Sequence, residues 1–178
     1  MPTETSESAG LHRAWGLNWR FPFSFPELPR APDGASPDVT VLDGSVPAWQ
    51  PAAPEPLPVE PGPANERRFH LPGTARILVR DGRKILVDRV PGARDANLRL
   101  LLVGTGAALV LHQRGVLPLH ASGILGPRGA VLFLGHSGAG KSTLLAEFLR
   151  RGYRMLSEDL AAVRPAEDGS ARVDPGVQ

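Results

Sequence analysis

The chain has 178 residues with 20 basic and 18 acidic side chains, a net charge of +2. A balance this even argues against a dedicated nucleic-acid binder, which usually carries a concentrated basic face, and the absence of cysteine excludes disulfides, thiolate metal sites and a cysteine nucleophile. Apolar residues make up 42% and charged residues 21%, which is enough apolar side chain for a packed core.

Met1–Gly10 is polar and acidic, the reverse of a secretory signal, and is read as a frayed tail. Leu11–Pro29 concentrates Trp15, Trp19, Phe21, Phe23 and Phe25, a density that a disordered segment rarely carries. The alternation at 21, 23 and 25 predicts an extended segment with one buried face, interrupted by Pro22 and Pro26. Asp38–Asp43 reads as a short strand. Pro47–Pro63 holds seven of the nineteen prolines and reads as a polyproline or loose spacer. Ala75–Arg80 and Lys84–Arg89 are apolar runs joined through Asp81-Gly82, a hairpin signal. Residues 11–92 are therefore expected to form a β-rich N-terminal region containing a proline-rich linker at 47–63.

Ala93–Arg114 is expected to be a helix with Leu98, Leu101, Leu102, Thr105, Leu109 and His112 on one side and Gly115 as its stop. Its most apolar part, Leu98–Leu111, spans 14 residues, short of the roughly 20 that cross a bilayer. No membrane partner and a cytoplasmic location are expected. Strands follow at Leu117–Leu125 and Ala130–Leu134, then a helix over Lys141–Arg151 ended by Gly152. Leu144, Leu145, Phe148 and Leu149 share one face of that helix. Short strands are expected at Tyr153–Leu156, at Ala161–Arg164 and, after an Asp168-Gly169 turn, near Ala171–Val173.

Gly135-His136-Ser137-Gly138-Ala139-Gly140-Lys141-Ser142 fits the phosphate-loop pattern G-x-x-x-x-G-K-[ST], and the context fits as well, with a strand leading in and an amphipathic helix leading out. Glycines at 135, 138 and 140 let the backbone approach a phosphate closely. Successive amides at a helix N-terminus form an anion nest. Lys141 is expected to reach the β- and γ-phosphates and Ser142 to ligate Mg²⁺, so residues 135–143, including Thr143, are the expected ATP-binding residues. His136 contributes mainly its backbone. Two further features flank the loop: Leu117–Ile124, which contains His120, and Arg154–Asp159, which ends in the acidic pair Glu158-Asp159. A parallel sheet is expected to bring that pair beside the loop, because the ends of neighbouring parallel strands converge.

From about Leu117 to Val163 this order resembles the catalytic domain of the HPr kinase/phosphorylase family and its HPr-kinase-like serine kinases. The shared features are a histidine on the strand before the loop, the loop itself, and then RGY followed by an acidic pair. The segment His112–Gly123 and the aromatic N-terminal segment are also family-like. The resemblance implies an α/β phosphate-loop domain of the HPr-kinase and PEP-carboxykinase type over 93–178. It implies ATP and Mg²⁺ as cofactors and transfer of the γ-phosphoryl group to a serine of a protein or peptide, either HPr or a biosynthetic peptide. His120 matches the family histidine near the reacting phosphate, Ser142 and Asp159 match the Mg²⁺-side groups, and Glu158 matches the general base. The family has aspartate at that last position, and glutamate adds one methylene of reach. Family members continue beyond the acidic pair, so a chain that stops 37 residues after Lys141 is expected to be an incomplete domain, with homo-oligomers possible in a full-length form. Two alternatives remain: a non-catalytic ATP-binding regulatory module, and a transport-type ATPase, whose LSGGQ signature this chain lacks.

Overall fold

A computed structural model describes residues 10–47 and 59–177. Apart from Gly10, the expected N-terminal tail lies outside the described residues, as does most of the proline-rich stretch. The described chain is a mixed α/β structure, rich in strands, built around two sheets.

The first sheet has seven strands: β1 (Leu11–Ala14), β2 (Leu17–Arg20), β3 (Val39–Asp43), β4 (Glu60–Pro61), β5 (Glu66–Leu71), β6 (Ala75–Arg80) and β7 (Lys84–Arg89), in the order β1-β2-β3-β7-β6-β5-β4. The β6–β7 hairpin forms where Asp81-Gly82 predicts it, with φ of 55° and 60° at the two turn residues. A second tight turn at Trp15 and Gly16, φ 53° and 73°, folds β1 onto β2. The segment after β2 is not a strand, but Phe21 and Phe25 are buried and Phe23 packs beside them. Their rings lie 4.4–6.2 Å apart, so the expected buried aromatic face forms as a cluster outside any strand. Strand β4 falls inside the stretch expected to be a spacer and pairs with Arg67 and Arg68 of β5.

The helix expected over 93–114 is interrupted. It runs as α1 (Asp95–Leu101), a π-helical turn (Leu102–Gly106) and α2 (Ala107–Gln113). A π turn takes an extra residue, which rotates the following side chains around the axis by about 100°. The buried series therefore steps from Leu98 and Leu102 to Gly106, Ala107, Val110 and Leu111. Thr105 and His112, expected on the buried side, are exposed, and Leu109 is only half-buried. This segment packs on the first sheet, where Leu98, Val110 and Leu111 join Ile77, Val79 and Ile85 in one core. Gly115, at φ 71°, ends it. The Gln113 side chain accepts from the Gly82 amide at 2.7 Å and donates to the Asn65 carbonyl at 2.6 Å, pinning the helix end to the β6–β7 turn.

The second sheet contains β8 (Leu117–Gly126), β9 (Gly129–Leu134), β10 (Arg154–Ser157), β11 (Leu160–Pro165) and β12 (Ala171–Asp174); the third helix, α3 (Lys141–Arg150), joins β9 to β10. The parallel arrangement expected here is not found: every pairing in this sheet is antiparallel. The cause is local. Only Pro127 and Arg128 separate the paired Gly126 and Gly129, and so tight a connection can only reverse the chain. Strands β9 and β10 do run in the same direction, but on opposite edges of β8. Of the four apolar residues expected on one helix face, Leu145 is buried and Phe148 half-buried, stacked on Phe133 at 5.4 Å. Leu144 and Leu149 are exposed.

Trp15 joins the two sheets. Its indole N–H donates to the Leu160 carbonyl at 2.9 Å, its amide donates to Pro175 O at 2.6 Å, and its own carbonyl accepts from Arg164 at 3.3 Å. Asp174, almost buried, holds Arg164 from the other side at 2.5 Å.

Candidate active site

Strand β9 delivers the chain to the glycine-rich loop, and α3 carries it away. Gly138 and Gly140 have φ of 81° and 85°, in the left-handed region where a side chain is strained. Gly135 is favoured for a different reason, since an added Cβ would sit 3.0 Å from the Ala139 methyl, a contact that the loop would have to shift to relieve. Gly140 caps α3 without any side-chain hydrogen bond, so the first-turn amides of the helix have no partner of that kind. Lys141 folds back over the loop and donates to Gly135 O at 2.9 Å and His136 O at 3.1 Å. Two of its three N–H groups are thus engaged, which leaves one for a ligand. The His136 ring turns onto its own loop, with Nδ1 donating to the Ser137 carbonyl at 2.8 Å.

The acidic pair reaches this loop through β8. Leu134, the last residue of β9, pairs with Ala121, so Gly135 comes level with His120. On the other edge Ser157 pairs with Gly123 and Leu160 with His120, which puts Glu158 and Asp159 at the same level. The convergence expected of a parallel sheet is therefore produced by two like-directed strands flanking one antiparallel partner. A β-bulge at Leu156 sets the register: Met155 faces Ile124 and Ser157 faces Gly123. The extra residue shifts the side-chain alternation after it by one, and bulges are used in this way to re-aim side chains beside functional sites.

Two buried serines fix the backbone of the pair. Ser122 Oγ donates to the Glu158 carbonyl at 2.8 Å and Ser157 Oγ to the Ala121 carbonyl at 3.3 Å, and both residues are fully buried. The Ala121 amide adds a bond to Asp159 O at 3.2 Å. With its backbone held, the Asp159 carboxylate meets His120: Nδ1 to Oδ1 is 3.0 Å, with both side chains more than half exposed.

These groups enclose one cleft of 320 Å³. His120, Lys141, Ser142, Glu158 and Asp159 line it, together with loop residues Ser137, Gly138 and Gly140 and the helix residue Thr143. Of the residues singled out in the sequence, Gly135, His136 and Ala139 belong to the loop but not to the cleft lining. Arg150 and Arg151 lie at the far end of α3, where both bond Glu147 and hold its carboxyl below the usual range. Their place at a helix C-terminus suits the dipole. The anchoring roles of Ser122 and Ser157, the bond of Trp15 to Leu160 and the Leu156 bulge went unmarked in the sequence. The one available signal was the small, polar Ser122 in the run Ala121-Ser122-Gly123.

No group of three or more His, Cys, Asp or Glu able to hold a metal by itself occurs among the described residues. Magnesium does not need one, because it is commonly held by one or two carboxylates together with substrate phosphates and water. Ser142 and Asp159, facing the same cleft, fit that donor set. The arrangement collects an ammonium, uncapped helix amides, a hydroxyl and two carboxylates, which together suit an anionic ligand paired with a hard cation. No protein-family model, curated protein or solved structure matches the chain.

Proposed function

We propose that the chain carries a phosphate-loop nucleotide site of the HPr-kinase-like type and that it transfers the γ-phosphoryl group of ATP to a serine hydroxyl of a protein or peptide. The observation that carries this reading is the meeting around one cleft of Lys141 and Ser142 at the start of α3, His120 on β8, and Glu158 and Asp159 in the bend between β10 and β11. A phosphate-binding loop needs only the first set of groups. Phosphoryl transfer needs the second as well.

The residues divide the work as follows. The amides of Gly138, Gly140 and the first turn of α3, with the Lys141 ammonium, hold the triphosphate. Ser142 and Asp159 are the side chains suited to Mg²⁺, which when bound neutralises phosphate charge. His120 positions Asp159. Glu158 accepts the proton of the acceptor hydroxyl as the serine oxygen bonds to the γ-phosphorus and the bond to the β,γ-bridging oxygen breaks, with ADP leaving. Donors and charges fixed before the reaction supply most of the rate in such a site.

The test is mass-spectrometric detection of phosphate on serine peptides incubated with Mg·ATP, for the wild type and for Glu158→Gln. Transfer by the wild type and a loss of about 10²-fold or more in the variant, with nucleotide binding retained, is the expected result. Nucleotide binding with no transfer in either protein would make the chain an ATP-binding regulatory module instead.

A further inference from the structure

A second cleft, also of 320 Å³, shares Ser142, Glu158 and Asp159 with the first. Its remaining walls are of a different kind. They come from Leu100 on α1, Val103 in the π-helical turn, Trp15, Leu160 and Val177, with Ser157 as the one further polar residue. Leu100 is 70% exposed, the most exposed of the large apolar side chains among the described residues. Val103 lies in the π turn, and single π turns inside helices are frequently found at functional sites. The acidic pair thus stands between a polar cleft fitted to an anion and a largely apolar cleft with no cationic side chain in its lining.

We propose that this second cleft is the acceptor subsite, and that it takes a peptide segment in which a bulky apolar residue adjoins the acceptor serine. The proposal rests on the kinase reading above, and it names the substrate class of that same site. Displacement at the γ-phosphorus requires the hydroxyl to come from the side away from the leaving ADP. A cleft that reaches the same two carboxylates from beside the nucleotide cleft meets that need. The serine hydroxyl then lies at Glu158, and its apolar neighbour covers Leu100 and Val103. An acidic neighbour is disfavoured, because it would face Glu158 and Asp159 with no basic group in the lining to offset the repulsion.

Fluorescence anisotropy tests this without relying on turnover. Three labelled peptides are compared, with leucine, glycine or aspartate beside the serine, in the presence of Mg²⁺ and a non-hydrolysable ATP analogue. The wild type is expected to bind the leucine peptide about tenfold more tightly than the glycine peptide, and the aspartate peptide least. Leu100→Lys is expected to erase that preference while leaving nucleotide affinity unchanged, and Leu100→Ala to reduce it. Because Leu100 is exposed, neither change threatens the fold. Equal binding of the three peptides by the wild type, or the same preference surviving in Leu100→Lys, overturns the proposal. Nucleotide affinity, measured in the same samples, reports separately on the phosphate-loop reading: its absence with peptide preference intact would sink the kinase and keep the apolar peptide site.

Discussion

The two sheets treat their apolar side chains differently. In the first, Ile77 and Ile85 are fully buried together with Leu98, Val110 and Leu111 of the interrupted helix, and Trp19, Phe21 and Phe25 belong to the same core. In the second, Val131, Leu134 and Leu144 are 45%, 61% and 43% exposed, although they lie on the strand and helix that frame the glycine-rich loop. Cohesion is concentrated in the first sheet and its interrupted helix, whereas the groups of the candidate site lie on the less covered second sheet and the segments joined to it. Such a division is common, since binding groups need solvent access and a rigid support. Trp15 is the joint through which the first sheet supports the second, by its bonds to Leu160, Pro175 and Arg164, and Asp174 holds Arg164 in place from within the second sheet.

If that division holds, substitutions in the two sheets should separate. The largest stability effect is expected from Leu111→Ala, which empties a fully buried position in the first core and should cost about 3 kcal/mol in a denaturant titration. Next is Glu66→Gln. Glu66 is nearly buried between Arg68 and Arg80, whose hydrogen bonds, that of Arg68 foremost, hold its carboxyl below the usual range. A carboxyl whose pKa is lowered by folding contributes stability above its unfolded pKa of about 4.3 and loses it as pH falls through the folded value. The variant should be less stable by about 2 kcal/mol at pH 7, under the usual cost of breaking a buried pair because Arg80 reaches solvent. Melting curves should show the two proteins converging well below pH 4.3. Both variants are expected to keep nucleotide affinity while folded.

Ser122→Ala probes the second sheet and should reverse the balance of effects. Losing one buried hydrogen bond costs about 1 kcal/mol, but the Glu158 carbonyl is left unpaired and the acid pair loses its anchor. Turnover should fall by about tenfold or more, mainly in kcat, with a smaller change in Mg·ATP affinity. Leu134→Ala should do least, under 0.5 kcal/mol, since the side chain is mostly in water already. A cost for Leu134→Ala equal to that of Leu111→Ala would break the comparison.

Local signals in the sequence carried far, and non-local ones did not. The β6–β7 hairpin, the helix stop at Gly115, α3 and the glycine-rich loop were all legible, because each depends on residues within a few positions of one another. The Trp15-Gly16 turn was missed because a tryptophan at positive φ has no local rationale; its tie to Leu160 lies 145 residues away. The π turn escaped because a regular 3.6-residue pattern assigned Thr105 and His112 to the buried face. At the site, His120, Lys141, Ser142, Glu158 and Asp159 were legible as a set, but the route by which they meet was not. Antiparallel pairing across β8, the Leu156 bulge and the Ser122–Ser157 latch are properties of register, which is fixed between strands.

The most direct measurement is calorimetric titration of Mg·ATP into the wild type and into Lys141→Ala. Binding in the micromolar range by the wild type, weakened by about 100-fold or more in the variant, is the predicted result. Equal binding by both proteins, or none by the wild type, would contradict a nucleotide site at this loop.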